Sequence, residues 1–197
     1  MTIESHPLTP FLPPNGRILF LGSFPPPQAR WSMDFFYPNW INDFWRVMGL
    51  IFHSDKTYFE RPDGQHKFDK ERIVRFATEQ GFAFFDTATT VRRLKDNASD
   101  NFLEILQPTD IAALLAPMPH CHSLVTTGGK ASEELRLQLS RDSGLPAGEL
   151  LPLPAIGQCL TLHCYGRQLD WWRMPSTSRA YPLSLEKKAE FYKQLIP

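Results

Sequence analysis

Residues 17 to 22, RILFLG, are almost wholly apolar and end on a glycine, and three consecutive prolines, Pro25 to Pro27, follow almost at once. An apolar run so short and so abruptly ended reads as a buried strand. Proline has no backbone N–H to give to a sheet, so the chain must leave the sheet there. Beyond the prolines, Ile41, Phe44, Trp45, Met48, Ile51 and Phe52 recur at helical spacing, with Asn42 placed to cap the helix start. Asp69 to Gln80 carries its own start and stop signals, Asp69 before the apolar positions and Gly81 after them. A strand, FAFFD, then ends at Asp86. Residues 109–116 read as helix, 122–127 as strand, 129–140 as helix and 159–165 as a last strand. Ser184 caps a final amphipathic helix with Leu185, Ala189, Tyr192 and Ile196 on one face. Strands alternating with helices imply parallel pairing through right-handed crossovers, hence a three-layer α/β domain. No internal repeat divides the chain, and the only composition shift is Ser143 to Gly157, so residues 1–197 are expected to form one domain.

In such sheets ligands sit at the carboxyl ends of the strands. Three places are selected: GSFPPP after the first strand, DTATT after the second and TTGGK after the third. At Gly128-Gly129-Lys130 a strand passes into a helix, where free amides and the helix dipole favour an anion; the alternative is a tight turn with Lys130 in solvent. The Walker pattern GxxxxGK[ST] is absent. Asp86 ends an otherwise apolar strand, so its carboxylate either faces the crevice or caps the next turn. Phe36 and Tyr37 can present a flat face to a heterocycle or belong to the core.

Composition narrows the partners. The 197 residues carry 21 Lys+Arg against 21 Asp+Glu, which removes the bulk positive charge of a polybasic nucleic-acid binder and makes any polyanion site a local one. The three cysteines, Cys121, Cys159 and Cys164, lack CxxC spacing and point to a reduced cytoplasm rather than a disulfide framework. The proline-broken N-terminus has no leader pattern, and no uncharged apolar stretch approaches the roughly 20 residues of a membrane span. A soluble, unprocessed, cytoplasmic monomer is expected. Of the six histidines only His120 and His122, flanking Cys121, approach metal-ligand spacing, and further ligands are not announced, so no metal site is expected. Ten aromatics lie between Trp31 and Phe59, next to a proline-rich turn, a combination suited to a shaped wall or to core.

Taken together, three segments resemble the uracil-DNA glycosylase superfamily, in particular its mismatch-specific and hypoxanthine-acting branches. ILFLGSFPP followed by FFYPNWINDFWRVMG is similar to the family's strand, Gly-x-x-Pro loop, aromatic and Asn-x-Phe-Trp sequence. GFAFFD follows, and MPSTSRAYPLSLEKKAEFY resembles the Pro-Ser loop and the helix behind it. VTTGGKA falls at the family's third strand and helix, so the likeness extends over most of the chain.

The resemblance implies a central, mainly parallel four-stranded sheet between helices, acting on DNA with a deaminated or mismatched base swung out of the duplex, in base excision repair. No cofactor is implied. Backbone amides of Gly22, Ser23 and Phe24 would stabilise charge on the departing base. Tyr37 would hold the base's face. Pro175, Ser176, Thr177, Ser178 and Arg179 would enter the minor groove, with Ser176, Gly129 and Lys130 near phosphates. Arg173, Arg179, Lys187 and Lys188 would supply a locally basic rim.

Two departures matter. Many members carry Asn or Asp in the first loop where this chain has Phe24, and His or Asn at the start of the second where it has Met174. The hypoxanthine-type branch also lacks the first-loop Asn and resembles this sequence at Asn42, the leading candidate for positioning water; Asp86 is the second. The three cysteines do not match the four-thiolate iron–sulfur set of other branches. Two other functions remain open on these residues: a glycosylase fold that binds damaged DNA or nucleobases without hydrolysis, and a hydrolase of free nucleosides or nucleotides.

Overall fold

A computed structural model describes residues 2–94 and 102–196. In chain order it contains β1 (Thr2–Ser5), β2 (Ile18–Gly22), α1 (Phe44–His53), α2 (Lys70–Gln80), β3 (Phe82–Asp86), β4 (Ala88–Arg93), β5 (Leu103–Pro108), α3 (Ile111–Leu115), β6 (Ser123–Thr127), α4 (Gly129–Asp142), β7 (Gln158–Cys164), β8 (Arg167–Met174) and α5 (Leu185–Lys193). The main sheet has the order β3-β2-β6-β8-β7. Its first four strands run parallel, and β7 closes the edge antiparallel to β8. Every residue of β2, β3 and β6 is buried, as strands covered on both faces must be, which is why they stood out in the sequence as unbroken apolar runs. Helix α2 packs on β3, α4 on β6, and α1 against α5.

The α/β architecture is as expected, but the sheet has five strands rather than four. The expected last strand, residues 159–165, is the antiparallel edge β7. The fourth parallel strand is β8, RQLDWWRM, whose charged and polar residues hid it. Leu169 and Trp171 of β8 are fully buried, whereas β7 is exposed along most of its length. Tyr165 and Gly166, both at positive φ, form the two-residue turn between them. A second sheet, β1-β4-β5, is antiparallel and was not legible in the sequence. In particular, DTATT is not a loop: the chain turns from β3 straight into β4 at Thr87.

The aromatic segment is core. Phe84 sits at its centre, stacked near Phe20 and Phe36 and meeting Phe35, Phe44 and Trp45 at steeper angles. The Trp45 indole N–H donates to the Phe36 carbonyl at 3.0 Å, so its one polar atom is satisfied on burial. Helix α1 begins one residue later than the sequence suggests. Asp43 is at the cap position, but the Asn42 Oδ1 accepts from the Phe44 N–H at 2.9 Å.

That leaves the buried Asp43 carboxylate for another task. It accepts from Lys188 Nζ at 2.9 Å and from Arg179 Nε at 3.0 Å, and Lys188 also donates to the Ser178 carbonyl at 2.8 Å. The expected basic rim is therefore corrected. Lys188 is 0 % exposed, a core cation rather than a surface one. Lys187 pairs with Glu190 on the outer face of α5, and Arg173 donates to the Pro154 carbonyl. All three cysteines are free thiols; Cys121 is buried, and its neighbours His120 and His122 are exposed. Among the described residues no helix is long and apolar enough to cross a membrane.

Lys188→Ala leaves the buried Asp43 carboxylate with Arg179 as its one remaining ion-pair partner and frees the Ser178 carbonyl, and is expected to lower stability by about 3 kcal/mol, measured as the shift of the urea unfolding midpoint at unchanged slope.

Candidate active site

Parallel pairing places the carboxyl ends of β2, β3, β6 and β8 on one edge of the sheet, and a cavity of about 590 Å³ opens there. This lies within the roughly 300–1,000 Å³ range of small-molecule sites. Gly22, Ser23 and Phe24 line it after β2, Asp86 at the end of β3, Gly128, Gly129 and Lys130 after β6, and Ser176, Thr177 and Ser178 after β8; Tyr37 and Asn42 complete the wall from the segment before α1. Four separate loop tips thus meet around one hollow.

Two expected residues stand apart from the lining. Pro175 is buried and its carbonyl accepts from the Tyr192 hydroxyl at 2.8 Å. Arg179 lies outside the lining, its guanidinium on Asp43. Thr177 lines the cavity although it is nearly buried, and its carbonyl accepts from the Asp43 N–H at 2.8 Å. This loop is anchored to α1 and α5 by its backbone, and its exposed parts are Ser178, Arg179 and Ala180. Of the two positions where polar side chains were missed, Phe24 lines the cavity while Met174 is buried outside it.

Asp86 is 8 % exposed and is the one carboxylate among the described lining residues. Its Oδ2 is 2.9 Å from the Nε2 of His6. Its Oδ1 lies against Gly22, close enough that a Cβ on that residue would collide with it. Glycine is required there because the carboxylate occupies the space of a side chain. His6 escaped the sequence reading: it lies in a proline-flanked stretch eighty residues from Asp86, and no spacing rule connects the two.

Tyr37 adopts a left-handed backbone conformation, φ 52°, rare for a residue with a Cβ. Its ring lies flat on Phe44, centroids 3.9 Å apart and planes within 5°, and its hydroxyl is 2.9 Å from Thr127 Oγ1. One face is therefore spent on the core, and the half-buried ring still lines the cavity. Burial pushes the Tyr37 phenol well above its ordinary range; the Thr127 hydrogen bond opposes this, and the Asp86 charge adds to it.

Asn42 stands one residue before the cap position, accepts from the first helical N–H there, and still lines the cavity. Because Phe44 N–H needs an acceptor, the Asn42 oxygen is fixed in that bond and its NH₂ is the group left to donate. On the far side, α4 starts at Gly128, φ 124°, with no side-chain cap, so the amides of its first turn are unsatisfied by side chains and Lys130 stands beside them, half-buried.

A solved structure from Methanosarcina acetivorans, described as a candidate uracil DNA glycosylase, superposes on this chain with a TM-score of 0.63 over 98% of both chains, at 19% identity. The two chains share one fold. No protein-family model and no curated protein matches the sequence. The α/β arrangement is thus one already seen at full length in another chain.

Tyr37 and Tyr192 are both held protonated by burial. An acid whose folded pKa is raised stabilises the fold fully below its unfolded value, near 10.0, and that stability is lost as pH rises beyond it. Tyr165 is held protonated likewise, by burial and by its bond to Asp142, so alkaline titration followed by tyrosinate absorbance is expected to show three tyrosines that ionise only together with unfolding, and two in Tyr37→Phe.

Proposed function

We propose that this chain is a monofunctional DNA glycosylase that hydrolyses the N-glycosidic bond of a deaminated base, uracil or hypoxanthine, swung out of DNA. The observation that supports this reading is the meeting of four loop tips around one cavity that holds, among the described residues, a single carboxylate and an aromatic ring. The likeness in fold to a candidate uracil DNA glycosylase supports the same class. The Asn42-Asp43-Phe44-Trp45 sequence and Phe24 in the first loop favour the hypoxanthine-type branch.

The chemistry follows from charge. As the bond breaks, its electron pair leaves with the base and the sugar becomes oxocarbenium-like. The amides of Ser23 and Phe24, which donate to no described residue, are placed to meet the negative charge on the base. Asp86 carries the opposite charge needed to steady the sugar and can accept the proton of the water that attacks its anomeric carbon. Asn42 holds that water through its NH₂. The unpaired amides at the start of α4, with Lys130, suit a backbone phosphate.

An assay for free base with duplexes containing uracil, hypoxanthine, xanthine or a thymine mismatch tests the reading. Release of uracil or hypoxanthine is expected. Asp86→Asn is expected to lower the single-turnover rate by about 10²–10⁴-fold, the usual worth of a general base, and Asn42→Ala to lower it too while the fold is retained. Retention of an abasic duplex with no release from any substrate would instead make the chain a binder. Lys130→Ala is expected to reduce the slope of log affinity against log salt by about one, in a titration of duplex binding.

A further inference from the structure

The geometry points to His6 as the positioning residue for Asp86: it fixes the carboxylate so that Oδ2 is bound and Oδ1 is turned to the cavity. The inference rests on the proposed role of Asp86.

The strand β1 runs antiparallel to β4, and the chain continues past it with the His6 N–H donating to the Thr89 carbonyl at 2.8 Å. This places the imidazole over the end of β3. Its side chain is 4 % exposed, enclosed by Phe24 at 5.3 Å, Phe85 at 4.4 Å and Phe36 at 6.3 Å between ring centroids. A buried ring of this kind must have both nitrogens satisfied. Nε2 faces Asp86 Oδ2 at 2.9 Å. Nδ1 faces Leu8 twice: the Leu8 carbonyl at 2.9 Å and the Leu8 N–H at 3.2 Å.

That double contact is what suits His6 to the task. A neutral ring accepts from the Leu8 N–H through Nδ1 and donates from Nε2; a protonated ring donates to the Leu8 carbonyl and still donates from Nε2. In either state the Nε2–H to Asp86 bond is kept. Asp86 Oδ1 meanwhile has no hydrogen bond to a described residue, and Asp86 lines the cavity. One oxygen is therefore tied and the other is open. The anchor sits on Leu8, itself a lining residue, so the pair is braced from the cavity wall. His6 does not line the cavity, and it acts only through Asp86.

His6→Phe keeps an aromatic ring among Phe24, Phe36 and Phe85 and removes the donor. His6→Gln removes the ring and keeps an N–H at the ε position. In single-turnover release of the base from duplex DNA, His6→Phe is expected to be about 10- to 100-fold slower, the worth of a hydrogen bond to a charged group, with duplex affinity unchanged; His6→Gln is expected to recover most of the rate. Rates equal to the wild type in His6→Phe, or equally slow in both variants, would overturn the inference. A second readout needs no activity. In nitrogen-labelled protein, the His6 Nε2–H is expected as a slowly exchanging, downfield resonance that moves upfield or disappears in Asp86→Asn. A wild-type protein that releases no base defeats the proposed reaction, while this resonance still decides the His6–Asp86 bond: its absence from the wild type, or its indifference to Asp86→Asn, would refute it.

Discussion

Parallel pairing of β3, β2, β6 and β8 is the constraint on which the rest depends. Parallel strands all end on the same edge, so the residues that leave the sheet after each strand are neighbours in space however far apart they lie in the chain. Gly22 and Asp86 are paired directly in register, at the ends of β2 and β3. Thr127 and Met174 end the next pair in the same way. A slip of one residue in either pair would exchange the side chains packed on the two faces, so the packing of β2, β3 and β6 on both sides fixes the edge of the cavity as firmly as it fixes the core.

Two buried carboxylates hold the site from opposite sides. Asp43 ties the loop after β8 to the start of α1 and to α5, through Lys188 and Arg179. A buried pair of this kind adds little net stability, because desolvation consumes most of the attraction. What it does add is position, since Lys188 also grips the Ser178 carbonyl and leaves the loop one place to sit. Asp86 is held by His6 on the other side. The two clamps differ in their surroundings: the first is a network of full charges, the second an imidazole within an aromatic cage.

The two departures from the resembling family find different physical explanations. Phe24 packs with Ala88, Val91 and Leu103, residues of the second sheet, and its ring edge meets His6. It is an apolar pillar between the first loop and the sheet that carries His6. Met174 ends β8 inside the core, so the first residue able to face the cavity after that strand is Ser176. Among the polar groups around the hollow, Asp86, Asn42 and the loop amides come from strand ends and from a helix start.

The sequence by itself determined the buried strands and the helices between them, because unbroken apolar runs and helical spacing with Asp69, Gly81 and Ser184 at the ends are local signals. It also placed three of the four loop tips, since the rule that ligands gather at carboxyl ends needs only the order of the elements, and the resembling Pro-Ser segment supplied the fourth. Only the tertiary structure decided the rest. Strand β8 was masked by Arg167, Asp170 and Arg173, whose side chains reach partners that no local pattern reveals. Lys188 reads as a surface residue on an amphipathic helix, and its burial depends on a carboxylate 145 positions away. His6 likewise acquires meaning only when β1 joins β4. Periodicity reports which way a side chain faces; it carries no information about which distant group will be there to meet it.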